Sequence, residues 1–184
     1  MNDAGNPDAL GPTPDERGTR FAVYSSIAER VELCLFDEHG QPTLRQDLER
    51  GSNGTWSGFV EGCATGQRYG YRVHGPYDRE RGLRCNAQKL LIDPYARRLA
   101  GDFRWTAAVR DDNDLDSAGH IPFCVVTPNG APAEERRPRI PWGETIFYEC
   151  NLRGFTMRHP ALDDRQRGTF AGMRNKEVVA YIKS

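Results

Sequence analysis

Between Gly18 and His74 the apolar residues recur at every second position, in short runs broken by turn-forming sequences. Phe21 and Val23 share one face of the Thr19 to Ser25 run. Val31, Leu33 and Leu35 share one face of the next, with Glu32 and Cys34 opposite, and Tyr69, Tyr71 and Val73 repeat the pattern before Gly75. A period of two marks a half-buried strand, because successive side chains point to opposite faces of a pleated ribbon. Asp37-Glu38-His39-Gly40, Ser52-Asn53-Gly54 and the Gly62 to Gly66 stretch lie between the runs and supply turns. Asn53-Gly54-Thr55 also matches a glycosylation sequon, but Asn-Gly reads first as a turn. Short strands at this spacing, each with one wet face, predict a small antiparallel β-sandwich.

The remainder lacks that rhythm. Residues 1–17 are rich in Gly, Pro and Asp and read as a flexible leader, without the basic and apolar regions of a secretory signal. Gly75-Pro76-Tyr77 breaks the last long strand, and Asp93-Pro94 interrupts any helix near Ile92. Residues 106–142 look like a connector, with an acidic run at Asp111–Asp116 and a proline-rich basic piece near Glu134. Asp112, Asp114 and Asp116 alternate as in a calcium loop. Ser117 stands where such a loop needs Gly, however, and Phe123 where it needs a bidentate Glu, so a solvated loop is expected. The Thr145 to Leu152 run is apolar without alternation, as in a strand buried on both faces. A loop containing Arg158-His159-Pro160 follows. Val178, Val179 and Ile182 then fall on one helical face, with Asn175 as the N-cap.

A net charge of −1 offers no global attraction for nucleic acid. No apolar run approaches the roughly 18 residues of a membrane span. The five cysteines are odd in number, widely spaced and without a CxxC pair, which argues against a zinc site or a disulfide framework and for a reducing cytoplasm. No metal and no cofactor are implied.

Three stretches carry a resemblance: Gly66-Gln67-Arg68-Tyr69-Gly70-Tyr71-Arg72-Val73-His74-Gly75-Pro76-Tyr77, then Gly82-Leu83-Arg84-Cys85-Asn86, then Lys89-Leu90-Leu91-Ile92-Asp93-Pro94-Tyr95-Ala96. They resemble the N-terminal module of bacterial glycogen-debranching enzymes and isoamylases, which belong to glycoside hydrolase family 13 and open with a family 48 carbohydrate-binding module. Phe147-Tyr148-Glu149, Arg153-Gly154-Phe155-Thr156-Met157-Arg158-His159-Pro160 and Arg167-Gly168-Thr169-Phe170 are similar to the first strand and loop of the catalytic barrel. The expected fold is mainly β: an immunoglobulin-like antiparallel β-sandwich over residues 18–105, a connector over 106–142, and over 143–184 one βα unit of an incomplete (β/α)8 barrel.

The resemblance implies hydrolysis of α-1,6-glucosidic branch points in glycogen or limit dextrin. That chemistry needs two carboxyl groups about 5 Å apart, one nucleophile and one general acid. In the family they lie on later barrel strands, so no residue here inherits a catalytic role and the chain alone is expected to be inactive. Glu149 is expected to be structural, and Asp163 and Asp164 solvated. The alternatives are a stand-alone glucan-binding or regulatory module, and an interaction module whose partner is the rest of the barrel on another chain. Glucan-binding modules of this type carry two tryptophans on one face. Ser25-Ser26-Ile27-Ala28 replaces the first, and Tyr77 stands in for the second. Tyr77, Trp56 and Arg153 are the candidate glucan contacts, through ring stacking and hydroxyl hydrogen bonds.

Overall fold

The computed structural model describes residues 9–128 and 139–184. They belong to two units, Met1–Ala133 and Glu134–Ser184.

In the first unit the alternating runs become long strands. β1 (Thr13–Pro14), β2 (Gly18–Tyr24), β3 (Arg30–Phe36), β4 (Pro42–Asp47), β5 (Glu49–Arg50), β6 (Thr55–Glu61) and β7 (Arg68–His74) follow one another. After them come β8 (Tyr77–Asp78), β9 (Leu83–Arg84), β10 (Leu99–Ala100) and β11 (Phe123–Val125). One sheet has the order β1-β2-β6-β5, the other β10-β11-β7-β3-β4, and β8 pairs β9 as a separate hairpin. All pairings are antiparallel. Gly54 ends the Asn-Gly turn before β6 with φ +84°, a conformation that a side chain would strain.

The core lies between the sheets. Phe21 from β2, Val31, Leu33 and Leu35 from β3, Trp56 and Val60 from β6, and Tyr69 and Tyr71 from β7 pack there with Cys124 and Val126. Of these, Phe21, Val31, Leu33, Leu35, Tyr69 and Tyr71 are the residues that the period of two places on inward faces.

Three expectations for the first unit need correction. Of the leader, residues 1–8 lie outside the described residues. Residues 9–17 join the sandwich instead: β1 pairs β2, and the Gly11 N–H donates to the Ala22 carbonyl at 2.7 Å. The outer face of β3 is also dry. Cys34 and Phe36 pack with Leu90, Phe123, Ala118 and Ile121 in a second cluster, beneath a strap formed by residues 86–121. Part of the expected connector therefore belongs to the sandwich, and its final strand β11 adds to the sheet beside β7. The basic piece near Glu134 lies outside the described residues.

In the second unit the helices are α1 (Leu152–Thr156), α2 (Phe170–Met173) and α3 (Lys176–Lys183). Asn151, Thr169 and Asn175 cap them, their side chains accepting the N–H groups of Gly154, Gly172 and Glu177. Thr156 is fully buried. Its hydroxyl donates to the Leu152 carbonyl and accepts the Gly168 N–H at 2.9 Å. Leu162 and Val178 complete this small core. Val179 is half-buried and Ile182 exposed, so the expected apolar face of α3 is only partly used. The strand expected over Thr145 to Leu152 is not formed, and Ile146, Phe147 and Tyr148 are exposed. A barrel strand takes its hydrogen bonds from a neighbour on each side. No described residue of this unit supplies one.

Candidate functional site

Tyr77 is positioned by a short hairpin. Gly75 leaves β7 where a side chain would meet the Ile27 carbonyl at 3.0 Å and Cys85 Sγ at 3.1 Å, so the chain turns there with no Cβ. Tyr77 then pairs with Arg84 and Asp78 with Leu83. Asp78 Oδ1 closes the hairpin by accepting the N–H groups of Glu80 and Arg81. Tyr77 remains 43% exposed.

Beside it lies an open cleft of about 570 Å³, bounded by Tyr77, Arg79, Cys85, Asn86 and the Asp111–Asp114 segment. That volume is in the range of small-ligand sites, roughly 300–1,000 Å³. The acidic loop is held from beneath. Asn86 Nδ2 donates to the carbonyls of Asp111 and Asn113, both at 3.0 Å. Lys89, buried, places its three protons on the Ala108 carbonyl, Asn113 Oδ1 and the Leu115 carbonyl, at 3.0, 3.0 and 2.6 Å. Arg72, also buried, grips both carboxylate oxygens of Asp116 at 2.7 and 2.9 Å. The loop is solvent-exposed at Asp112, Asp114, Leu115 and Asp116, as expected, and these bonds anchor it to the sandwich. Arg84 pairs with Asp111 and Arg110 with Asp112. The hydrogen bond from Arg84 holds the Asp111 carboxyl below its usual range, and that from Arg110 does the same for Asp112.

The chemistry this allows is recognition. A ring face, an amide and charge-paired carboxylates together suit a ligand with apolar faces and many hydroxyls. A general acid needs a carboxyl held protonated. Asp111 and Asp112 are shifted the opposite way. Asp93 is the one described carboxyl pushed upward, by burial, and it is sealed in the core.

The other candidates lie elsewhere. Trp56 is only 4% exposed, within the inter-sheet core, and its Nε1 donates to the Ser25 carbonyl at 3.1 Å. This removes it as a stacking platform: an inward position on β6 gave the ring a core role. Arg50 covers it at 5.5 Å. Arg153 is exposed in the first turn of α1, in the second unit. Ser25 to Ala28 forms a tight turn, with the Ala28 N–H on Ser25 Oγ, and presents no aromatic ring. His74 lies beside Arg30, with Nε2 2.9 Å from Nη2, and His159 Nδ1 accepts the Ala161 N–H. Glu149 is exposed, and Asp163 caps a turn by accepting the N–H groups of Arg165 and Gln166. Sequence reasoning missed Asn86, Lys89 and the acidic loop as one assembly. The available signal was the basic Arg79–Arg84 stretch matched by the acidic Asp111–Asp116 run.

Residues 9–96 match the family described as carbohydrate-binding module 48 (isoamylase N-terminal domain). The chain is 42% identical to the glycogen debranching enzyme of Klebsiella pneumoniae (strain 342), over 98% of its own length and 28% of that protein's. It is 39% identical to the glycogen operon protein GlgX homolog of Mycobacterium tuberculosis, over 97% of this chain and 26% of that one. It therefore spans little more than a quarter of these relatives. Among solved structures it is similar to a pullulanase from Anoxybacillus sp. LM18-11 complexed with maltotetraose. That likeness has a TM-score of 0.62 at 21% identity and covers 99% of this chain and 25% of that one. The catalytic module of the pneumococcal virulence factor SpuA gives a TM-score of 0.60 at 22% identity, over 95% and 25% of the two chains.

Proposed function

We propose that this chain is the glucan-directed, non-catalytic front of a glycogen-debranching protein, because residues 9–96 match carbohydrate-binding module 48 and the chain is similar to part of the glycogen debranching enzyme of Klebsiella pneumoniae. Its ligand on this reading is a branched α-glucan, glycogen or limit dextrin. Tyr77 stacks on a sugar ring at the mouth of the polar cleft, and Arg153 is a contact of the second unit. The sandwich, whose core runs from Phe21 to Val126, is the module, and residues 143–184 begin a catalytic barrel. Hydrolysis of α-1,6 linkages belongs to carboxylates outside these residues. The observation that carries the reading is the exposed Tyr77 ring beside the Asn86 and Asp111–Asp114 groups, within a family 48 module.

No described helix is long and apolar enough to cross a membrane. The five cysteines are all free, which supports a reducing, cytoplasmic setting.

Affinity electrophoresis through glycogen tests the reading. The unmodified chain is retarded, Tyr77→Ala binds roughly 3- to 10-fold more weakly, and Tyr77→Trp keeps the affinity. An unretarded parent chain defeats the proposal. Release of reducing sugar from limit dextrin by the purified chain defeats its non-catalytic part.

A second reading, a partner surface for the remainder of a barrel, is favoured by the exposed Ile146, Phe147 and Tyr148 of the second unit.

A further inference from the structure

Phe103 and Trp105 stand apart from the cleft already described. They follow β10, outside residues 9–96. Trp105 is 82% exposed and Phe103 is 52% exposed. Their ring centroids lie 5.2 Å apart with the planes at 83°, so the two rings make an open corner. Water-facing aromatic rings lose the free energy of burial that such side chains ordinarily gain, and here two neighbouring ones do so.

The segment that displays them is fixed. Between the two rings, the Arg104 N–H donates to the His120 carbonyl at 2.8 Å. Just after them, Thr106 Oγ1 lies 3.2 Å from His120 Nδ1. The next turn, Ala107–Val109, is held at the Ala107 carbonyl by Asn113 and at the Ala108 carbonyl by Lys89. A corner held at three points is presented without further ordering, which lowers the entropic cost of binding.

We propose that the Phe103–Trp105 corner is a second α-glucan contact of this module, at which one ring stacks on a glucose face while the exposed Thr106–His120 pair bonds its hydroxyls. The size and rim of the corner favour this occupant. Two aromatic side chains bury roughly 150–250 Å² each, whereas a protein partner needs about 800 Å² of each surface. The sequence neighbours Asp102, Arg104 and Thr106 are polar and exposed, as the rim of a sugar contact requires. A glucan is a repeating ligand, so two separated contacts on one module raise its avidity for the same chain.

The inference rests on the glucan-directed reading above, and the experiment separates the two. Affinity electrophoresis of the 184-residue chain through glycogen compares Trp105→Ala, Trp105→Tyr, Tyr77→Ala and the double alanine variant with the parent. Trp105→Ala binds roughly 3- to 10-fold more weakly, Trp105→Tyr retains most of the affinity, and the double variant is weaker than either single one. Unchanged thermal unfolding of Trp105→Ala, expected for a ring this exposed, excludes a folding defect. Retardation of Trp105→Ala equal to the parent, with Tyr77→Ala weakened, overturns this inference and leaves the first reading standing. A parent chain that is not retarded removes both.

Discussion

Asp93 is a carboxyl group in the wrong solvent. It is 2% exposed, beneath Tyr69, whose hydroxyl donates to Oδ2 at 2.8 Å, while the Tyr95 N–H donates to Oδ1 at 2.8 Å. Burial raises its pKa, and these two hydrogen bonds only partly oppose that. The consequence for stability has the opposite sign from most carboxylates. A raised folded-state pKa means that the folded chain holds this proton more tightly than the unfolded chain does. The contribution is therefore fully present below the unfolded pKa and is lost as pH rises through the folded pKa. In urea titrations, the midpoint of the parent rises relative to that of Asp93→Asn as the pH is lowered from neutral into the mildly acidic range. Midpoints that run parallel across that range would show that the folded state keeps Asp93 ionised. Lys89 solves the same problem differently. Its ammonium is buried but meets three acceptors, so its charge is matched by oxygen atoms that would otherwise be orphaned.

At the scale of elements, β7 is gripped from both sides. Tyr69 and Tyr71 point into the inter-sheet core, while Gly70 faces the strap. A Cβ at Gly70 would sit 2.8 Å from Leu90 Cδ1 and 3.2 Å from the Leu91 carbonyl, and Leu91 exchanges both backbone hydrogen bonds with Tyr71. Gly70→Ala therefore lifts the strap and costs about 1–3 kcal/mol in equilibrium unfolding. Gly70→Ala combined with Leu90→Ala costs less than the sum of the two single changes, because the smaller side chain relieves the clash. Strict additivity would mean that the strap does not bear on β7. The contrast between strand and strap explains what was legible in the sequence. β2, β3 and β7 announce themselves because a half-buried strand writes its period into adjacent residues. The strap has no period. It is ordered by partners far along the chain, such as Arg84 with Asp111 and Arg72 with Asp116, and no local pattern records such pairs. Tyr77 became a candidate through the family resemblance, as the ring that follows the strand ending at His74. Asn86 and the acidic loop were not legible, because only the folded chain brings them to it.

The two units differ in how they satisfy their apolar residues. The sandwich core is built entirely from residues between Phe21 and Val126. The second unit buries Thr156, Leu162, Gly172 and Val178, yet exposes Ile146 by 92%, Phe170 by 77%, Phe147 by 75%, Tyr148 by 65% and Tyr181 by 64%. The apolar run of Thr145 to Leu152 that read as a doubly buried strand is the origin of this surface. The run lacks the alternation of a half-buried strand, and the described residues of this unit offer no strand to pair with. Exposed apolar patches of this kind mark surfaces that associate. A chain of residues 1–128 is accordingly expected to unfold cooperatively and to elute as a monomer at all concentrations, because it keeps the whole inter-sheet core. The 184-residue chain is expected to self-associate as its concentration rises, unless a partner covers residues 146–148. Light scattering during size-exclusion chromatography distinguishes the cases. If the 184-residue chain stays monomeric at high concentration, these aromatic residues are not an association surface. If residues 1–128 fail to fold, the sandwich is not self-sufficient. Replacing Ile146 and Phe147 with Ser in the 184-residue chain supplies the control. The changes leave the sandwich transition where it was and abolish the association, because neither side chain belongs to a core.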